Sequence, residues 1–215
     1  MNHKHQFIEF LLAHQALKFG TFTLKSGRQS PYFFNLGVFH SGASFSQLGG
    51  FYAQALIETQ LNYDVLFGPA YKGIALAVAT SIALYQNHQM DAPCAFNRKE
   101  AKQHGDGGSI IGHSLENQKV VMLDDVITAG TTVRETLDIL KTFNASLSGI
   151  LIAFDRQERG ENNLSATEEV KEKTGITVHS LITLKDLMEY LATQSQYAEV
   201  LNQIKIYQSQ FGAKS

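Results

Sequence analysis

The sequence predicts an α/β domain, a central parallel β-sheet flanked by helices, with a small annex at its N-terminus. Three observations carry that expectation. Short apolar strands at Val65–Phe67, Val120–Leu123, Gly149–Phe154 and Ile176–Leu181 read as buried on both faces. Helical patterns at Ile74–Tyr85, Thr132–Lys141 and Ser165–Lys173 alternate with them, which calls for parallel strands joined by crossover helices. Polar, glycine-containing turns follow the strands at their carboxyl ends, where open parallel sheets hold ligands.

The elements follow in order. Phe7, Phe10, Leu11 and Leu17 recur at helical spacing, with Gly20 as the expected stop. Residues 21–39, rich in Ser, Gly and aromatics, are open between strand and loop. Ser44–Gln60 predicts a helix with Phe45, Leu48, Tyr52 and Leu56 on one face, although Gly49 and Gly50 weaken it by about 1 kcal/mol each relative to Ala. The alternating strands and helices come next. Thr183 with Asp186 forms a capping-box pattern that opens a helix over Leu184–Ala192, and a last helix covers Tyr197–Gln208. No repeat or linker divides the chain, so residues 1–215 read as one domain.

Composition excludes several classes. The 215 residues carry 18 Lys+Arg against 20 Asp+Glu, a net charge of −2, with 44% hydrophobic and 18% charged residues. That content rules out a disordered chain and a nucleic-acid binder working through overall positive charge. A single cysteine, Cys94, cannot form an internal disulfide and is expected to pack as a small hydrophobe; no CxxC or HExxH spacing suggests zinc. His14 reads as a satisfied or half-exposed histidine. Glu9 and His14 break the N-terminal apolar stretch, so no signal peptide is expected despite glycosylation-type triplets at Asn144 and Asn163. The longest apolar run, 74–85, is too short to span a bilayer. The expectation is a soluble, cytoplasmic protein with no membrane partner.

The chemistry concentrates after the strands. Lys119–Leu123 leads into Asp124-Asp125-Val126-Ile127-Thr128-Ala129-Gly130-Thr131-Thr132 and then an amphipathic helix. Backbone N–H groups and hydroxyls of such a turn can surround a phosphate at a helix N-terminus, while the two acids accept hydrogen bonds from sugar hydroxyls. Neither the Walker A nor the GxGxxG pattern is present. A second turn, Gly68-Pro69-Ala70-Tyr71-Lys72-Gly73, places a lysine at a helix start and suits another anion; alone, it reads as a Gly-Pro turn with an exposed lysine. A third segment carries Arg98, Lys99, Lys102 and His104 before Gly105, Gly107 and Gly108. Arg98, Lys99 and Lys102 against Glu100 make a local excess of positive charge in a chain where charge is scarce. It reads as a deformable lid over a polyanion, or as a solvated helix face. Phe33 and Phe34, adjacent in an extended stretch, point to opposite faces, and one can lie flat against a planar ring. Lys25 and Arg156 can meet an anionic ligand or stand as surface cations.

Asp124–Thr132 resembles the phosphoribosyl-pyrophosphate (PRPP) signature of type I phosphoribosyltransferases. Lys25-Ser26-Gly27-Arg28, Ser30-Pro31-Tyr32-Phe33-Phe34-Asn35 and the basic segment narrow the resemblance to the orotate phosphoribosyltransferase branch, from about Lys25 to Arg156. The resemblance implies a type I phosphoribosyltransferase fold with an N-terminal hood over about residues 1–40 and a PRPP-binding core over about 60–190. It implies transfer of the 5-phosphoribosyl group of PRPP to N1 of orotate, giving orotidine 5′-phosphate and pyrophosphate in pyrimidine synthesis. For PRPP it implies Lys25, Tyr71, Lys72, Arg98, Lys99, Lys102, His104 and the run from Asp124 through Val126, Ile127, Thr128, Ala129, Gly130 and Thr131 to Thr132. For orotate it implies Lys25, Phe33, Phe34, Thr128 and Arg156. Lys102, Arg98, Asp124, Asp125 and His104 are the residues nearest the chemistry. Mg²⁺ is expected to be carried by PRPP without direct protein ligands, and a homodimer with sites shared across its interface is expected. A purine phosphoribosyltransferase and a non-catalytic PRPP-sensing regulator remain as alternatives.

Overall fold

The computed structural model describes residues 3–24, 26–99, 108–128, 130–160 and 163–213. Two strands near the N-terminus, β1 (Leu17–Thr23) and β2 (Gln29–Phe34), form a separate antiparallel pair. Six more strands form one sheet: β3 (Val65–Gly68), β4 (Cys94–Asn97), β5 (Ile110–Gly112), β6 (Lys119–Asp124), β7 (Ser146–Asp155) and β8 (Val178–Thr183). Their order is β5-β4-β3-β6-β7-β8, parallel throughout except for β5, which runs antiparallel to β4. The connecting helices are α1 (His3–Ala13), α2 (Gly42–Thr59), α3 (Lys72–His88), α4 (Thr131–Thr142), α5 (Ala166–Thr174), α6 (Leu184–Ala192) and α7 (Ala198–Phe211).

Successive side chains of a strand point to opposite faces, and the sheet buries both. Leu66, Val121, Leu123, Leu151 and Ala153 join a large core with residues of α1, α2, α3, α6 and α7. Val65, Phe67, Val120, Met122, Ile150 and Ile152 face the other way, toward Val133 and Leu140 of α4 and Val170 of α5. This is why β3 and the inner part of β6 are apolar without alternation. Gly49, which weakens α2 on propensity, is required by packing. A Cβ there would meet the Ala79 carbonyl oxygen at 2.3 Å, so α3 could not lie against α2.

The N-terminal helix is shorter than its apolar spacing predicts. It ends at Ala13, Gln15 takes a left-handed conformation with φ 55°, and Leu17 already opens β1. Leu17 pairs opposite Phe34 and is buried in the large core, so burial as a strand residue overrides its helical spacing; Gly20 lies inside β1 and is no helix stop. Residues 21–39, open on sequence, contain the end of β1, all of β2 and a 3-10 turn at Leu36–Val38. The sequence pattern predicts neither β4 nor β5. Both are short, and β5 is an edge strand whose Ile111 is exposed. The capping box at Thr183 is present: Oγ1 accepts the Asp186 N–H at 3.1 Å, and an Asp186 oxygen accepts the Thr183 N–H at 2.8 Å. Cys94 packs partly buried against the large core. His14 is exposed, with Nδ1 3.0 Å from the Phe10 carbonyl oxygen. No helix among the described residues is long and apolar enough to cross a membrane.

Candidate active site

The tips of β3, β4, β6 and β7 define the site. β6 ends on Asp124, and Asp125 follows; both are buried, at 9% and 7% exposure. Oδ1 of Asp124 accepts the Asp125 N–H at 2.8 Å, and Oδ1 of Asp125 accepts the Val126 N–H at 3.0 Å. Lys72, at the start of α3, donates from Nζ to Oδ2 of Asp125 at 2.5 Å. Burial, and then the neighbouring Asp125 charge, push the Asp124 carboxyl up to about 7, against a pull downward from Lys72. Tyr52 of α2, fully buried, donates its hydroxyl to the Asp124 carbonyl at 2.8 Å and so ties the strand tip to the core.

The chain then turns through Val126–Gly130 into α4. Gly130 caps that helix in a left-handed conformation, φ 65°, and among the described residues no side chain caps its first N–H groups. Those unsatisfied donors sit at the positive end of the helix dipole, the arrangement that favours an anion. A cavity of about 60 Å³ lies here, lined by Val126–Thr128 and Gly130–Val133. Beside it runs the β3 turn. A Cβ on Gly73 would meet the Leu123 carbonyl oxygen at 2.8 Å, so glycine lets this turn lie against the β6 tip. Asn97, the last residue of β4, accepts the Ala70 N–H at 2.8 Å. Tyr71 is largely exposed, with the Lys99 ammonium over its ring at 5.5 Å from the centroid. Arg98 donates its backbone N–H to Ser109 at 2.8 Å, and its buried Nε has no hydrogen-bond partner among the described residues.

At the other side, β7 runs on past the acids. Asp125 accepts the backbone N–H groups of Ala153 and Phe154 at 3.0 and 3.4 Å, which fixes the tip of β7 against that of β6. Arg156 follows two residues later, its guanidinium 4.9 Å from the Tyr32 ring centroid and ion-paired to Glu158. Burial works against its charge, but Tyr32 and Glu158 raise its pKa overall. Phe33 and Phe34 do point to opposite faces. Phe33 is 38% exposed and lies 5.4 Å from the Phe22 ring; Phe34 is buried in the large core, edge-on to Phe154 at 5.3 Å. As opposite facing requires, only one of the two is a core residue: Phe34, because β2 lays that face on the end of β7.

Asp124, Asp125 and Lys72 are thus in direct contact, Tyr71 and Lys99 meet beside them, and Thr128 and Thr131 are exposed at the turn. Lys25, Lys102, His104 and Ala129 lie outside the described residues. Sequence reasoning missed Tyr52, Asn97, Tyr32 and Glu158. Glu158 had a signal, since Asp155, Arg156, Glu158 and Arg159 crowd together in a chain with few charges.

A parallel sheet with paired acids and an anion-ready turn at one strand tip defines a class of transferase, and residues 39–186 match the model of that class, the phosphoribosyl transferase domain. The orotate phosphoribosyltransferase of Escherichia coli O139:H28 is 52% identical over 210 residues, covering 98% of both chains. That of Shigella flexneri is 51% identical over 211 residues, covering 98% of this chain and 99% of its own. The crystal structure of the Francisella tularensis orotate phosphoribosyltransferase superposes with a TM-score of 0.89 at 41% identity, covering 96% of this chain and 99% of that one. The chain belongs to the orotate phosphoribosyltransferase family.

Proposed function

We propose that this protein transfers the 5-phosphoribosyl group of PRPP to N1 of orotate, releasing pyrophosphate and forming orotidine 5′-phosphate for pyrimidine synthesis. The observation that carries the reading is the contact of Lys72 with the Asp124–Asp125 pair, directly before an uncapped helix start. The 5-phosphate occupies the Val126–Thr132 turn, held by N–H groups and threonine hydroxyls. Ribose hydroxyls donate to Asp124 and Asp125. Breaking the C1–O bond leaves positive charge on the ribose and negative charge on pyrophosphate. The buried carboxylates face the first, and Lys72, Arg98 and Lys102 face the second, most strongly where water is excluded. The buried Nε of Arg98, without a hydrogen-bond partner among the described residues, suits that task. Lys99 and His104 add to the cationic side. Lys25, Phe33, Thr128 and Arg156 serve orotate, with Phe34 backing them from the core and Arg156 meeting the orotate carboxylate.

Asp124 and Asp125 are hard oxygen donors of the kind magnesium takes, but a backbone N–H and Lys72 already engage them. Such a donor set fits an ion brought in by substrate oxygens better than a dedicated protein cage. Bound with PRPP, Mg²⁺ supplies charge neutralisation on the leaving pyrophosphate. We also place the protein in the cytoplasm as a homodimer. Val78, Ile82 and Tyr85 form an exposed apolar stripe along α3, whose first turn carries Lys72, and a second copy covering it would lie beside the site.

The test is the ultraviolet change on mixing protein, orotate, PRPP and Mg²⁺, with pyrophosphate release measured alongside. Turnover with orotate and none with adenine or hypoxanthine is expected. Release with a purine base but not with orotate overturns the reading.

A further inference from the structure

Beyond the tip of β7, one carboxylate is held from several sides. Arg156 directs Nε and Nη2 onto a single oxygen of Glu158, Oε1, at 2.9 and 2.6 Å. The same oxygen accepts the Tyr32 hydroxyl at 3.1 Å, and the other, Oε2, faces Nη1 of Arg28 at 3.9 Å. The backbone on either side of Glu158 is fixed by the C-terminal end of α7. Arg159 donates its N–H to the Phe211 carbonyl at 2.9 Å, and Ala213 donates to the Gln157 carbonyl at 2.8 Å. Arg28 in turn lies over the Phe211 ring and donates to the Arg159 carbonyl at 3.4 Å. Segments near residues 28, 32, 156 and 211 therefore converge on Glu158. The Arg156 and Glu158 side chains are only 18% and 16% exposed, so water screens the pair weakly.

A guanidinium presents its donors in a rigid planar fork. Glu158 occupies the edge formed by Nε and Nη2 of Arg156 and leaves Nη1 outside that pairing. With Arg28 and Arg156 against Glu158, the cluster keeps net positive charge toward an incoming anion. We propose that Glu158 is a positioning residue for base recognition: it locks the Arg156 guanidinium in one orientation, so that the remaining donors already face the site when the orotate carboxylate arrives. An arginine held this way does not lose its side-chain freedom at binding, which is where preorganisation gains affinity. The inference rests on the reading that Arg156 meets orotate.

Steady-state kinetics on the full chain test it with Glu158→Ala, Glu158→Gln and Tyr32→Phe, and with Arg156→Ala as the control. Glu158→Ala is expected to raise KM for orotate about tenfold, the loss of one charge-assisted hydrogen bond, and to leave KM for PRPP within about twofold. Glu158→Gln keeps an oxygen for Nε and Nη2 and recovers most of the loss. An unchanged or lowered KM for orotate in Glu158→Ala overturns the proposal, as does an equal rise in both KM values, which marks a merely structural role. Should Glu158→Ala fail to fold, Tyr32→Phe keeps every charge and is expected to raise KM for orotate about threefold, the loss of one neutral hydrogen bond; no change overturns the proposal. If Arg156→Ala raises KM for orotate while Glu158→Ala does not, positioning alone fails. If Arg156→Ala leaves it unchanged, the assignment of Arg156 to orotate fails as well.

Discussion

At the tip of β6 two like charges are buried side by side, Asp124 and Asp125, with one lysine reaching in from the next strand tip. Beyond the tip of β7 the charges are half-buried and opposite, Arg156 against Glu158, and a tyrosine and a second arginine close around them. The first arrangement leaves negative charge under-compensated: burial and Asp125 together raise the Asp124 pKa. The second pairs opposite charges and keeps one arginine in excess. The difference separates two ways of preparing a site. One holds groups in an unfavourable state that a ligand relieves; the other aligns a group so that a ligand meets it already ordered.

The comparison breaks most visibly at the acids. Asp124→Asn combined with Asp125→Asn is expected to lower kcat/KM for PRPP by about 10³, with the circular dichroism of the parent retained. Survival of both PRPP affinity and turnover would remove the ribose from this end of the site. Next in size is Lys102→Ala, for which kcat is expected to fall about 10²-fold with an unchanged thermal midpoint. Near-normal turnover would take the basic segment out of the mechanism.

A smaller effect sharpens the electrostatic contrast. The Asp124 carboxyl titrates near 7 in the fold and near 4 in the unfolded chain. The folded state therefore holds this proton more tightly. Below about pH 4 both states carry it and stability is unaffected; from about 4 to about 7 the unfolded chain ionises first and the fold loses stability; above about 7 the loss is complete. Thermal midpoints of Asp124→Asn and parent, measured from pH 4 to 8, should diverge in favour of the variant across that window and then run parallel. A constant difference at every pH would mean that Asp124 is not strained. The smallest effect is that of Tyr52→Phe. It removes the hydrogen bond to the Asp124 carbonyl and should cost about 1 kcal/mol, lowering the midpoint by about 2–4 °C.

The same two halves differ in how far they can be read from the chain. The phosphate end is local. Asp124 to Thr132 is one continuous run between a strand and a helix, so adjacency in sequence is adjacency in space. The parallel strands were legible for a similar reason, because burial on both faces leaves an apolar run, as in Val120–Leu123. Around Arg156 the partners come from positions near 28, 32, 158 and 211, and no periodicity connects them. The β1–β2 pair was obscured by Gly20 inside β1 and by the register shift between Phe19 and Phe22. Phe34 shows the limit most clearly. Alternation placed it opposite Phe33, but only the packing of β2 on Phe154 decides which of the two goes into the core.

The pairing of β4 with β5 has a consequence in polymer terms. Their ladder continues to the hydrogen bond between the Arg98 N–H and the Ser109 carbonyl, so the ends of segment 99–108 are pinned together as in a closed ring. The hairpin bears the entropy of bringing those ends together, whatever the sequence between them. Lengthening such a ring is inexpensive, about 0.6 kcal/mol for each doubling. An insertion between these anchors should therefore leave the fold as stable as before, and any effect it has would appear in turnover alone.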